Sequence, residues 1–140
     1  MDFRSNVQAG VAVAVGSALY LALLFGIYSA APYNDIPRWW FRAAPRSPMA
    51  VSSWFALVDV CGALLAALPV AAFLHLVRAR RIGSAIGIGA VAALWIGIGG
   101  LVHYGVPTTA ASGISRLAQF IAVLLSVVVA RALMGGRKPV

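Results

Sequence analysis

Apolar residues fall into four long blocks that fill most of the chain, and most of the charge sits in the short stretches between them. The first block, 7–31, contains no charged residue. At about 25 residues it makes a helix of roughly 37 Å, enough to cross a bilayer with some tilt. The apolar region of a secretory signal peptide is only about 7–15 residues, so this block reads as a spanning helix instead. The second block, 48–77, has a marked start, with Ser47 as N-cap and Pro48 in the first helical position. It exceeds the hydrocarbon thickness and therefore has to tilt, kink or protrude, and Pro69 is the expected kink. Arg78, Arg80 and Arg81 close it. The third block, 82–104, is rich in glycine, and the fourth, 115–134, ends at Gly135-Gly136. The sequence therefore predicts an all-α integral membrane protein, a four-transmembrane-helix bundle in a single membrane domain over 1–140. An interfacial loop, 32–47, lies on the outer side.

Composition supports lipid as the main solvent. The chain is 62% hydrophobic, with eleven Lys and Arg and three Asp among 140 residues. A soluble domain has about 25% charged residues, and so few cannot cover a wetted surface. The net charge of +8 does not imply nucleic acid, because the arginines cluster at the ends of the apolar blocks, where they meet anionic lipid headgroups. Arg4, Arg78, Arg80, Arg81, Arg131, Arg137 and Lys138 fall on one side, and Arg38, Arg42, Arg46 and Arg116 on the other. By the positive-inside rule this asymmetry predicts that both termini are cytoplasmic, in a bacterial inner membrane.

The outer loop carries Arg38, Trp39, Trp40, Phe41 and Arg42. Rings at headgroup depth with guanidinium groups on phosphates suit an interfacial segment or a partner-binding surface. Asp35 is the expected cap of a short helical turn there, with Pro37 in its first turn. Small residues recur four apart in every block, which lets helix backbones approach closely in lipid. Gly10, Ala14, Ala18, Ala22, Gly26 and Ala30 form the longest such ladder, and Ala85, Gly89, Ala93 and Gly97 form another. Both ladders are expected to face neighbouring helices. Trp95, in mid-membrane, is expected to pack against small residues.

Chemistry-bearing residues are few. Cys61 stands alone, so a CxxC redox pair is excluded. The glycines of the third block do not form a phosphate loop, which needs a strand-turn-helix setting. His75 and His103 are expected near opposite membrane faces, about 30 Å apart, too far to grip one haem iron. No Ser or Thr stands in a recognisable nucleophile setting. Neither metal nor cofactor is implied. The exception is Asp59, the one acid within an apolar block. A charged Asp at a helix centre costs about 2.5–3.5 kcal/mol on insertion scales, which marks it as a candidate functional acid; the plainer alternative is a protonated acid, or one bonded to a backbone carbonyl, Trp95 or a Tyr, that only fixes the packing. It stands in register with Ala63, Ala67, Ala71 and His75 at four-residue steps. Three classes of function are compatible with the chain. The first is a non-enzymatic protein acting by association, as an accessory subunit of a membrane complex or a homo-oligomer. The second is a small ion- or proton-coupled transporter or channel using Asp59. The third is a holin-like or toxin-immunity membrane protein.

Overall fold

The computed structural model describes residues 3–42, 47–77 and 82–135. Arg46, the basic cluster Arg78, Arg80 and Arg81, and the tail residues Arg137 and Lys138 lie outside the described residues. Among the described residues there are four helices long and apolar enough to cross a membrane. They are α1 (Phe3–Ala30), α2 (Pro48–Leu76), α3 (Ile82–Tyr104) and α4 (Ala110–Gly135), with a single 3-10 turn at Arg38–Phe41 between α1 and α2.

Local chemistry sets the helix ends. Ser47 accepts a hydrogen bond from the Ala50 N–H at 3.2 Å, and Pro48 follows it. Gly105 ends α3 in the left-handed region, at φ 70°, and its N–H donates to the Leu101 carbonyl. Only glycine enters that region without steric cost. Two helices start earlier than the apolar pattern predicts. α4 begins at 110 because Thr109 and Ser112 cap each other: Thr109 Oγ1 accepts from the Ser112 N–H, and Ser112 Oγ from the Thr109 N–H. This is the reciprocal capping box, with serine in the place usually held by Glu or Gln. α1 begins at Phe3 because hydropathy marks the lipid-immersed part of a helix, whereas backbone hydrogen bonding continues into polar residues. At the loop turn, Pro37 occupies the cap position and no side chain caps it, so Asp35 does not play the role the sequence suggested.

The interior is packed most tightly in the half of the bundle away from the 31–47 and 105–109 connections. There α1 buries Ala12, Gly16, Ser17 and Tyr20. α2 buries Ala63, Ala66, Ala67, Val70, Ala71 and Leu74, α3 buries Ala85, Ile88, Gly89, Ala92 and Ala93, and α4 buries Val123, Ser126, Val127 and Ala130. α4 makes the most extensive contacts in the fold, with α2 first and α3 second. Gly89 sets the α3–α4 spacing. A Cβ at that position would collide with the Leu124 carbonyl oxygen and lie 3.0 Å from its carbon. Tyr20 ties α1 to α2 and, across the bundle, to α4. Its hydroxyl hydrogen bonds with Ser126 and lies 3.2 Å from the Val123 carbonyl and 3.5 Å from that of Ala63.

One packing expectation is corrected. Ala14, Ala18, Ala22 and Gly26 are exposed, and a Cβ on Gly26 would touch nothing within 4 Å. The buried stripe of α1 is instead Ala12, Gly16, Tyr20 and Leu24, on another face of the same helix. Both stripes have a four-residue step. The inward one is selected by Tyr20, whose hydroxyl needs the partners that α2 and α4 supply. On α3, Gly89 and Ala93 are buried, and Gly97 is half-buried beside Phe120.

These contacts predict a contrast between two glycines. Gly89→Ala should lower stability by about 1–3 kcal/mol, the range for overpacking. Gly26→Ala should stay within about 0.5 kcal/mol, as for surface sites. Thermal unfolding of both variants in one detergent measures the difference. Equal midpoints would show that the Gly89 contact does not limit the packing.

A polar cavity closed by Asp59

In the other half of the bundle, the same four helices line a cavity of about 850 Å³. The lining follows helical periodicity. Ser52, Phe55 and Asp59 come from α2, and Ser112, Ser115, Arg116 and Gln119 from α4. Steps of three and four place each set on a single helix face. Phe25 and Tyr28 come from α1, and Trp95, Gly99, Gly100 and His103 from α3. Tyr33 is added by the loop that follows α1.

Asp59 lies eleven residues beyond Pro48, roughly 16 Å along the helix. It is 5% exposed. Its carboxylate Oδ1 accepts a hydrogen bond from the Tyr33 hydroxyl at 2.5 Å and a longer one from Gln119 Nε2 at 3.5 Å. The Tyr28 hydroxyl donates to the Asp59 backbone carbonyl at 3.1 Å. The acid is thus reached from α1, from the first loop and from α4. Burial first, and then the hydrogen bond to Asp59, push the Tyr33 phenol above its ordinary range. Tyr33 therefore stays a neutral donor at physiological pH.

The loop holds Tyr33 in place through a chain of aromatic contacts. The Tyr33 ring meets Phe55 edge-on at 5.4 Å and Tyr28 at 6.4 Å. Further along, Trp39 meets Trp40 at 5.7 Å, and Trp40 meets Trp54 at 5.3 Å. Trp40 Nε1 donates to the Ala50 carbonyl at 2.9 Å, and Trp54 Nε1 to the Pro32 carbonyl at 3.1 Å. The loop is therefore fastened to the first turns of α2. Of the interfacial cluster, Trp39 is 59% exposed and Arg38 and Arg42 are exposed, while Trp40 turns inward and Phe41 is half-buried. Trp40 is structural, so the surface offered to headgroups or a partner is narrower than the sequence suggested.

Other residues singled out in the sequence fall as follows. Ala63, Ala67 and Ala71 continue the Asp59 stripe into the packed half, whereas His75, at the far end, is exposed. His75 and His103 occupy the last turns of consecutive helices joined by a short connection, and so lie at opposite ends of the bundle. Trp95 is 71% exposed and lines the cavity instead of packing among small residues, because α3 turns this face outward. Cys61 is exposed. The tyrosine partner expected for Asp59 is Tyr33, whereas Trp95 does not bond it; Tyr28 and Gln119 do not stand out in the sequence, and Arg116 stands out there only as a flanking charge. The run Ser112, Ser115, Arg116, Gln119 is a legible signal, a polar stripe of helical period opening an apolar block.

Comparison with protein-family models, with curated proteins and with solved structures gives no match.

The Tyr33 contact predicts the behaviour of a single-atom deletion. Tyr33→Phe takes a donor from a buried carboxylate and should cost about 1–3 kcal/mol. Tyr104→Phe, on an exposed residue, should be close to neutral. Thermal midpoints in detergent decide between them. Two equal midpoints would mean that the Asp59 carboxylate does not depend on Tyr33.

Proposed function

We propose that this chain is a small multi-pass carrier that exchanges protons or small cations through Asp59. The observation that carries the proposal is the position of Asp59 at the inner end of a largely apolar cavity that also presents Ser52, Ser115 and Gln119, buried yet in contact with the cavity space. A carboxylate kept in an apolar bundle despite the cost of burying it, and joined to donors from the first loop and from α4, is suited to binding and releasing a cation. Tyr33 and Gln119 hold its geometry, and the hydroxyls of Ser52 and Ser115 give a hydrated ligand further contacts. The excess of Lys and Arg on the side of the termini supports a cytoplasmic location for both, in a bacterial inner membrane. The cavity then opens to the outside. No enzymatic activity is proposed.

Asp59→Asn is the test. It keeps shape and hydrogen bonding but cannot titrate. In proteoliposomes with a trapped pH dye and an imposed cation gradient, the wild-type chain should move protons or cations, and the Asn variant should fold normally and lose the flux. Equal flux in both would end the proposal. Access to the cavity is checked separately. With Cys61 replaced by Ser, a cysteine at Ser115 should react with a membrane-impermeant thiol reagent added from outside, and one at Ala67 should not. Labelling at both positions, or at neither, would contradict a cavity open on one side.

A second reading has its own observation. Ala14, Ala18, Ala22 and Gly26 form an exposed stripe of small residues along α1, the kind of face that allows close helix approach in lipid. On this reading the chain works by association, with a second copy or as an accessory subunit of a larger membrane complex. Ala18→Leu combined with Ala22→Leu should then reduce energy transfer between labelled copies in vesicles. Unchanged transfer would leave the stripe to lipid.

A further inference from the structure

A second hollow lies on the outer surface of the bundle, between α3 and α4. It measures about 560 Å³, within the range of about 300–1,000 Å³ typical of small-molecule sites. Its body is apolar. Leu94, Ile98 and Leu101 come from α3, and Leu117 and Phe120 from α4, with Gly97 leaving the floor low. Its upper end is different in character, for Arg116, Tyr104 and Pro107 stand there beside the α3–α4 connection. Leu94 lies ten residues before Tyr104, so the groove runs roughly 15 Å down from that end.

Arg116 is aimed at the connection. Its guanidinium donates to the Gly105 carbonyl and, at 3.5 Å, to that of Tyr104, and sits 5.9 Å from the Tyr104 ring centroid. A guanidinium has five N–H donors in a fixed fork, and these two bonds set its height and direction without using all of them. One cation thus stands over the upper end of an apolar trough parallel to the helices. The matching ligand has a single negative group at the surface and a hydrocarbon chain below it.

We propose that the α3–α4 groove is a binding site for an anionic phospholipid, with the phosphate on Arg116 and one acyl chain lying along Gly97 toward Leu94. A two-chain lipid fits better than an enclosed fatty acid. Leu94, Ile98, Leu101 and Leu117 are 57%, 60%, 53% and 59% exposed, so the trough is open along its length and the second chain can remain in the surrounding bilayer. The proposal does not depend on cation exchange at Asp59, although Ile96, Gly100, Tyr104, Arg116 and Gln119 line both hollows.

Native mass spectrometry of the chain released from nanodiscs containing equal parts phosphatidylglycerol and phosphatidylcholine tests this. The wild-type chain should retain one phosphatidylglycerol in preference to phosphatidylcholine by about tenfold, the scale of one charge-assisted hydrogen bond. Arg116→Gln should abolish the preference. Arg131→Gln, which removes the same charge from the other end of α4, should keep it. Gly97→Leu fills the trough and should remove the retained lipid. Ile98→Trp covers the trough from the rim of an exposed position and should do the same if Gly97→Leu fails to fold. Asp59→Asn should retain the lipid, so failure of the carrier reading and failure of this one are separable. The proposal is overturned if Arg116→Gln keeps the preference, if the trough-blocking variants keep the lipid, if both lipids are retained equally, or if the adduct has the mass of a single-chain acid.

Discussion

In lipid, an apolar side chain gains nothing by turning from solvent to protein, so this bundle depends on how near its helix backbones can come to one another. The decisive contact is Gly89 against the Leu124 carbonyl, where even one methyl group would not fit. That approach brings α3 onto α4, and α4 is the helix that contacts α2 most extensively. Below this point the facing residues are mostly alanine and valine, and they are fully buried. Above it, Gly97, Gly99 and Gly100 continue on α3, but no backbone comes down onto them, and a Cβ at Gly99 or Gly100 would meet nothing within 4 Å. The same residue type therefore produces close packing in one half of the protein and empty space in the other. Both hollows described above lie in the second half.

The two halves also differ in how they are held. The packed half rests on dispersion plus one hydrogen-bonded knot at Tyr20 and Ser126. The hollow half is held by polar and aromatic side chains reaching across it. The run of edge contacts from Trp39 through Trp40 to Trp54, with Tyr28, Tyr33 and Phe55 beside it, fixes a loop that would otherwise be long and unconstrained. Such ring pairs contribute about 0.5–1.5 kcal/mol each beyond the area they cover. Because Tyr33 belongs to this loop, the order of the loop and the hydrogen bonding of Asp59 are one arrangement. A change at Trp54, five residues before the acid on α2, would act on it through the loop as well as along the helix.

What the sequence makes legible is what is local. Four spans, the Ser47-Pro48 start and the isolation of Asp59 are each written within a few residues. The facing of α1 is not, because its outward ladder of Ala14, Ala18 and Ala22 and its inward stripe of Ala12, Gly16 and Tyr20 share one period. Only the partners of the Tyr20 hydroxyl distinguish them, and Ser126 lies 106 residues away. The surroundings of Asp59 are equally non-local. Tyr33 and Gln119 stand 26 and 60 residues from it, and no spacing rule links a loop tyrosine and a fourth-helix amide to a second-helix acid. Arg116 shows a related limit. Its charge is plain in the sequence, but its role follows from the two carbonyls that orient it.

The floor beneath Asp59 has a kinetic consequence. Tyr20, Ala63, Val123 and Ser126 close the axis of the bundle directly below the cavity. In this geometry the protein is a cup and not a pore. Under the exchange proposed above, a particle that reaches Asp59 would leave by the way it came until the Tyr20–Ser126 contact parts and α1 and α4 shift on α2, the helix against which both pack. Movements of packed helices of that kind take microseconds to milliseconds, far slower than diffusion through an open channel. On the carrier reading proposed above, throughput would therefore be set by the opening of this floor and would saturate however steep the gradient became.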